Sequence, residues 1–202
     1  MNVRIAMAIS VGASLLFLAA ARADEGLTPV SLETGDVGYI VSQEYAAAHK
    51  ADFLAGLPEY QRDIDFWTPS PDDVLVAERV FREWIQDGAK DPAAVYPEMG
   101  AHPENYSPGE PELQRKEMAL IAQNYGLYAR QYAGLIVQGR KVILCNYFAG
   151  LEANPAGSFV FMQNVFVPHK GIHFVQGWFD PDAKTCSKLV MVGLWQKDTS
   201  DE

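Results

Sequence analysis

Hydrophobic positions are densest between residues 127 and 148, where two apolar runs, 127–137 and 141–148, flank Gln138-Gly139-Arg140. A glycine between two such runs marks a tight hairpin turn, so this stretch is expected to form the centre of an antiparallel sheet. Downstream, the Val- and Phe-rich segments 159–167, 172–179 and 189–195 read as further strands, with turns at 168–171 and 180–185. Residues 149–158 are loop by composition.

Upstream of the hairpin the apolar period changes from two to that of a helix. Ser70 is a good N-cap, Pro71 fits the first helical position, and Asp73 completes a capping-box-like Ser-x-x-Asp, with Asp72 beside it at the positive end of the dipole. Gly88 is a natural stop. Between them Val74, Ala77, Phe81, Trp84 and Ile85 form a stripe at helical spacing, which reads as a core face, while Arg79, Arg82, Glu83 and Gln86 lie mostly elsewhere. Phe66 and Trp67, just before Thr68-Pro69, suggest an extended, anchored entry into this helix. A second amphipathic helix is expected over 112–124, with Leu113, Met118, Leu120 and Ile121 among its charges. Residues 91–111 hold Pro92, Pro97, Pro103, Pro108 and Pro111 and read as a long surface loop, whose Tyr96, His102 and Tyr106 are candidates for a binding rim. Nearer the N-terminus a short strand over 37–42 and a helix over 44–54 are expected.

Together these elements predict an α+β fold, an antiparallel meander of four to five strands with one or two helices packed on one face. The layout is similar to cystatin-like and NTF2-like folds, an analogy of fold that does not carry function. The expected organisation is a leader over 1–23, an N-terminal segment over 24–65, the α+β domain over 66–197 and a tail over 198–202.

The leader rests on Arg4 ahead of an apolar run from residue 5 to 20, followed by Ala21-Arg22-Ala23, a small-x-small processing site. No cysteine stands at that site and no later stretch approaches the ~20 apolar residues that span a bilayer, so the expectation is an exported protein, periplasmic or secreted, with no transmembrane segment after cleavage. Acidic residues number 26 against 16 basic ones, a net charge of −10 that becomes more negative when Arg4 and Arg22 leave. Such a surface repels phosphate backbones and anionic headgroups, which disfavours nucleic acid and membrane-surface partners.

Phe66-Trp67-Thr68-Pro69-Ser70 leading into a helix, then Tyr128-Ala129-Arg130-Gln131-Tyr132-Ala133-Gly134 opening a hairpin that ends near Asn146, resembles a family of small exported bacterial proteins. The likeness runs from about residue 66 to 195, and its most specific part is the Arg-Gln-Tyr-x-Gly stretch. Where that family has Asp-Gly-Gly before the penultimate strand, this chain has Pro168-His169-Lys170-Gly171. No activity attaches to the family, so the resemblance implies an architecture and leaves function open.

Candidate chemistry is sparse. There is no G-x-S-x-G elbow and no phosphate-cradling glycine loop, so neither nucleophilic catalysis nor nucleotide binding has a motif behind it, and no cofactor is implied. His169 and His173 would share one side of an extended segment and, with Glu152 or Asp180, could hold a metal for a metal-assisted hydrolase. Cys145 and Cys186 either pair in an oxidising compartment, closing a loop for which chain entropy gives about 4 kcal/mol, or remain as buried thiols. Alternation places Tyr128, Arg130 and Tyr132 on one side of the strand and Gln131 and Ala133 on the other. Arg130 then either presents its guanidinium to an anionic ligand or a partner's carboxylate, or stacks on neighbouring tyrosines and pairs with a local acid. The leading expectation is a non-enzymatic domain that binds a small ligand or an envelope protein through Tyr128, Arg130, Tyr132 and Trp178; the alternative is the hydrolase.

Overall fold

The computed structural model describes residues 26–50, 63–148 and 174–192. Its sheet is built outward from a hairpin of β4 (Ala129–Val137) and β5 (Arg140–Phe148), in register from Ala129↔Phe148 to Val137↔Arg140. That register leaves Gln138 and Gly139 as a two-residue turn with φ of 51° and 77°. Positive φ at both central positions is the primed turn whose twist matches that of paired strands, and it favours Asn-Gly. Gln138→Asn is therefore expected to raise stability by about 0.5–1 kcal/mol, because asparagine tolerates the left-handed conformation better, as a chemical melt at constant m-value would show.

β5 continues antiparallel to β6 (Phe174–Asp180), and β6 to β7 (Thr185–Val192). On the other side of β4 two partners share one edge. β1 (Leu27–Ser31) forms a hairpin with β2 (Val37–Val41), and β2 lies parallel to β4 from Gly38↔Arg130 to Val41↔Ala133. β3 (Ile64–Trp67) takes the rest of that edge, antiparallel, from Trp67↔Gly134 to Ile64↔Val137. Among the described residues the result is a mixed sheet of seven strands, ordered β1-β2-β4-β5-β6-β7 with β3 also on β4, larger than the four- to five-stranded antiparallel meander expected from sequence. The short strand expected over 37–42 is present as β2, whereas β1 and β3, five and four residues long, are too short for alternation to announce them, and strand direction leaves no trace in composition. The N-terminal strands thus belong to the same sheet as the hairpin.

Four helices complete the described residues: α1 (Gln43–Ala48), α2 (Pro71–Gly88), α3 (Pro97–Ala101) and α4 (Glu110–Gln123). The capping box of α2 is complete, with the Ser70 hydroxyl accepting from the Asp73 amide and the Ser70 amide donating to the Asp73 carboxylate, each at 3.2 Å. Val74, Ala77, Phe81 and Ile85 of α2 are buried against the sheet, and α4 packs on α2 through Met118 and Ile121. A Cβ at Gly177 of β6 would run into the Phe81 ring, so glycine there lets the helix sit close. Residues 91–106, expected as loop, instead wind through short turns at Pro92–Ala94 and Pro103–Asn105 with α3 between them. Each begins on a proline, which suits the first helical position because its missing N–H has no partner to lose. This cover is tied down by the Trp84 indole, which donates to the Ala94 carbonyl at 3.2 Å.

Two apolar clusters flank the sheet. One holds Ile40, Tyr132, Ile143, Tyr147, Val175 and Phe179 under α2 and α4. The other holds Val41, Phe66, Ala133, Leu135, Leu144 and Trp178, together with Ala46 of α1. Helices therefore meet both clusters, whereas the sequence suggested packing on one face. The leader, the strand over 159–167, the turn over 168–171, Trp195 and the tail lie outside the described residues.

Candidate functional site

The candidate site is centred on β4, whose alternation falls as expected: Tyr128, Arg130 and Tyr132 turn toward α2, and Ala133 and Leu135 turn away. Arg130 is 0% exposed, and each end of its guanidinium is engaged. Nη2 donates to the Tyr125 carbonyl at 2.7 Å, Nη1 donates to Asp36 Oδ2 at 2.9 Å, and Nε lies 3.3 Å from Glu78 Oε1. The guanidinium carbon stands 4.9 Å from the centre of the Tyr125 ring. Of the two expectations for Arg130, the second is the one present in the fold: the guanidinium stacks on a tyrosine, Tyr125 rather than its strand neighbours, and pairs with acids, Asp36 and Glu78.

Glu78 projects from the buried stripe of α2 and is 2% exposed. Its Oε2 accepts from three phenols, Tyr132 at 2.5 Å, Tyr147 at 2.6 Å and Tyr125 at 3.3 Å. Register brings these groups together: Arg130 is paired with Tyr147 and Tyr132 with Cys145 across the hairpin, while the short turn Tyr125–Leu127 holds Tyr125 at the strand's entrance. Burial first, and then the Glu78 charge, raise the phenols of Tyr125, Tyr132 and Tyr147 well above their usual value, so they remain donors. Burial alone pushes Tyr128 up to about 12. Burial works against the Arg130 charge, but Glu78 and Asp36 outweigh it and the guanidinium is held more firmly protonated than usual.

Asp36 is the member of this network that meets the surface, with its side chain 37% exposed. It comes from the β1–β2 turn, closed by bonds from the Leu32 amide to the Asp36 carbonyl and from the Gly35 amide to the Leu32 carbonyl, both 2.9 Å. Burial tends to raise its carboxyl, but hydrogen bonds from Arg130 and Thr34 win and hold it below the ordinary carboxylate value.

Glu78, Asp36 and Tyr125 were not among the sequence candidates. A readable signal existed for Glu78, which stands four residues after Val74 and three before Phe81, an acid inside an apolar stripe. Asp36 and Tyr125 carried no comparable signal, since only the parallel pairing of β2 with β4 brings Asp36 to Arg130.

The remaining candidates are placed apart from this network. Trp178 packs in the opposite cluster, with Lys188 Nζ 3.7 Å from its ring centre. Asn146 donates to Gln131 at 3.2 Å across the hairpin, both side chains fully buried. His49 contacts the Tyr45 carbonyl at 2.9 Å and stacks on its ring, and His102 pairs with Glu104 at 3.3 Å. His169 and His173 lie outside the described residues, and among the described residues no group of three His, Cys, Asp or Glu side chains could hold a metal.

Cys145 and Cys186 are free thiols, the second of the two alternatives, which corrects the disulfide pairing offered as the first. Cys145 is paired with Gly177 of β6, and Cys186 of β7 with Phe179 of the same strand. A whole strand thus separates them, and two strand spacings of about 4.8 Å exceed the ~6.8 Å limit between Cα atoms of a disulfide. Burial pushes the Cys186 thiol up to about 12 and that of Cys145 upward as well, so neither is an activated nucleophile.

Among the described residues no helix is long and apolar enough to cross a membrane. No family model, no curated protein and no solved structure matches the chain, so the reading of its function rests on the geometry of this network.

Proposed function

We propose that the chain is an exported binding domain rather than an enzyme, with Arg130 anchoring a carboxylate of a small ligand or of a partner protein, and with Asp36 as a built-in competitor. The observation that carries this reading is the Arg130–Asp36 pair. A fully buried guanidinium is met at 2.9 Å by an acid on a partly exposed turn, 94 residues away in sequence. Asp36 sits where a ligand carboxylate would sit. If the 32–36 turn lifts, Nη1 faces outward while Glu78 and the Tyr125 carbonyl hold the rest of the fork in place, a preorganised donor for a carboxylate. Glu78 and its tyrosines act as the support, not as a proton-transfer set. Buried as they are, Tyr128 and Tyr132 contribute packing around this anchor rather than direct contacts, and Trp178, in the opposite cluster, takes no part in it.

The test is a titration of wild type and Asp36→Ala with acetate and, separately, with phosphate, followed by the guanidinium nitrogen resonances of Arg130. Removing a competing charge-assisted bond worth ~1.5–3 kcal/mol should tighten acetate binding at least about tenfold in the variant. A folded Asp36→Ala protein whose Arg130 resonances ignore both anions would sink the reading. Native mass spectrometry of the protein recovered from an oxidising compartment would identify a ligand that copurifies.

A further inference from the structure

Away from Arg130, the face of α4 beneath the 91–106 cover holds polar oxygens with nothing to bond. Glu117 is 2% exposed, and neither of its carboxyl oxygens has a hydrogen-bond partner among the described residues. The buried Oε1 of Gln114 is also without a partner there. Gln114 and Glu117 are three residues apart on one helix, so they share a face and their side chains are within reach of each other. Neither the Gln114 amide nitrogen nor the Tyr96 phenol donates to these three oxygens, so a protonated Glu117 carboxyl supplies the donor they lack.

We propose that Glu117 is a proton-operated latch: as the neutral acid it donates to Gln114 and keeps the 92–105 cover seated on α4, and when it ionises the cover is released. The charge has nowhere else to go. From the cover, the facing titratable group is Tyr96, a phenol pushed up to about 12 by burial and by Glu117 itself. From α2, Glu78 is engaged by the tyrosines, and Asp87 pairs with Lys90 at 2.9 Å on the exposed side. On α4, Arg115 and Lys116 both turn outward to Glu112. At the far end of the cover, His102 and Glu104 pair with each other in solvent. Burial raises the Glu117 carboxyl and no neighbouring cation brings it back. A group whose pKa is raised in the closed state stabilises closure below its ordinary value and loses that contribution as pH rises through the raised one.

The readout is amide protection across the cover, at Val95 and Tyr96, which bond to the Pro92 carbonyl, at Met99, which bonds to Tyr96, and at His102, which bonds to Glu98. In wild type these protection factors should fall by up to about tenfold per pH unit between the ordinary glutamate value and the raised one, then level off. Glu117→Gln keeps the geometry and a donor without the charge, so its protection should be flat over that range, while His102→Gln should respond as wild type does. A carbon-13 titration of the Glu117 carboxyl in wild type must show a midpoint above the ordinary glutamate range. A normal midpoint, a pH-independent wild type, or a slope that persists in Glu117→Gln would each overturn the proposal.

Discussion

Glu78→Ala is expected to cost the fold about 3–5 kcal/mol, read as a large drop in the urea midpoint. The truncation removes the acceptor of three tyrosine hydroxyls and leaves Arg130, fully buried, with Asp36 as its remaining charged partner. Arg130→Met should be comparably damaging, because it strands the Glu78 carboxyl in the core. The informative experiment is the double variant Glu78→Leu, Arg130→Met. Replacing a buried ion pair by apolar groups of similar size is often close to neutral, so the double change should cost clearly less than the two single changes added. What remains should come from the orphaned phenols, at roughly 1–3 kcal/mol for each that finds no new partner. Strict additivity of the two single effects would show that Glu78 and Arg130 are not coupled and would remove the support assigned to the anchor.

Gly134→Ala is expected to be the most damaging change of a single methyl, at about 3 kcal/mol, the upper end for overpacking. A Cβ at this position would overlap the Trp67 carbonyl oxygen and lie 2.7 Å from the Trp67 indole nitrogen. Both belong to β3, which is paired with β4 at this point, so relief requires backbone to move and the β3–β4 ladder to open. Faster exchange of the β3 amides should accompany the loss of stability. Gly177→Ala offers the comparison, since its Cβ meets a side chain, the Phe81 ring stacked 4.6 Å from Tyr147. A ring can tilt where a carbonyl cannot, so Gly177→Ala should cost less. The reverse order would place the tighter constraint under α2 rather than along β3.

Local grammar made much of this fold legible. Ser70, Pro71 and Asp73 define the start of α2 by the hydrogen bonds they make, and the two apolar runs around Gly139 define the central hairpin almost to the residue. Alternation correctly separated Arg130 from Ala133. What stayed hidden depends on partners far away in sequence. Nothing near residue 37 announces that β2 will run parallel to β4, and nothing near residue 145 shows that β6 will stand between the two cysteines. The site was half visible for the same reason. Arg130 among tyrosines is a local pattern, whereas the acids that complete it come from a helix and a turn whose positions only the sheet topology decides. Leu113 gives the smaller counterpart: it looked like part of the α4 core face, yet it is exposed, and Glu117 is buried instead.

The shared edge of β4 also bears on how the chain comes into being. Strands β1 and β2 are made first, but the residue that Asp36 clasps comes 94 residues later. At synthesis rates of ~5–20 residues per second, the N-terminal hairpin waits roughly 5–20 seconds for its neighbour, whereas β4 and β5 can zip together in microseconds once both have emerged. The order of assembly therefore runs against the order of synthesis, with the hairpin as template and the N-terminal strands docking onto its free edge last. Until then β2 keeps open the edge destined for β4. That interval, more than anything in the finished fold, is when the chain is most exposed to pairing with the wrong strand and most in need of a chaperone.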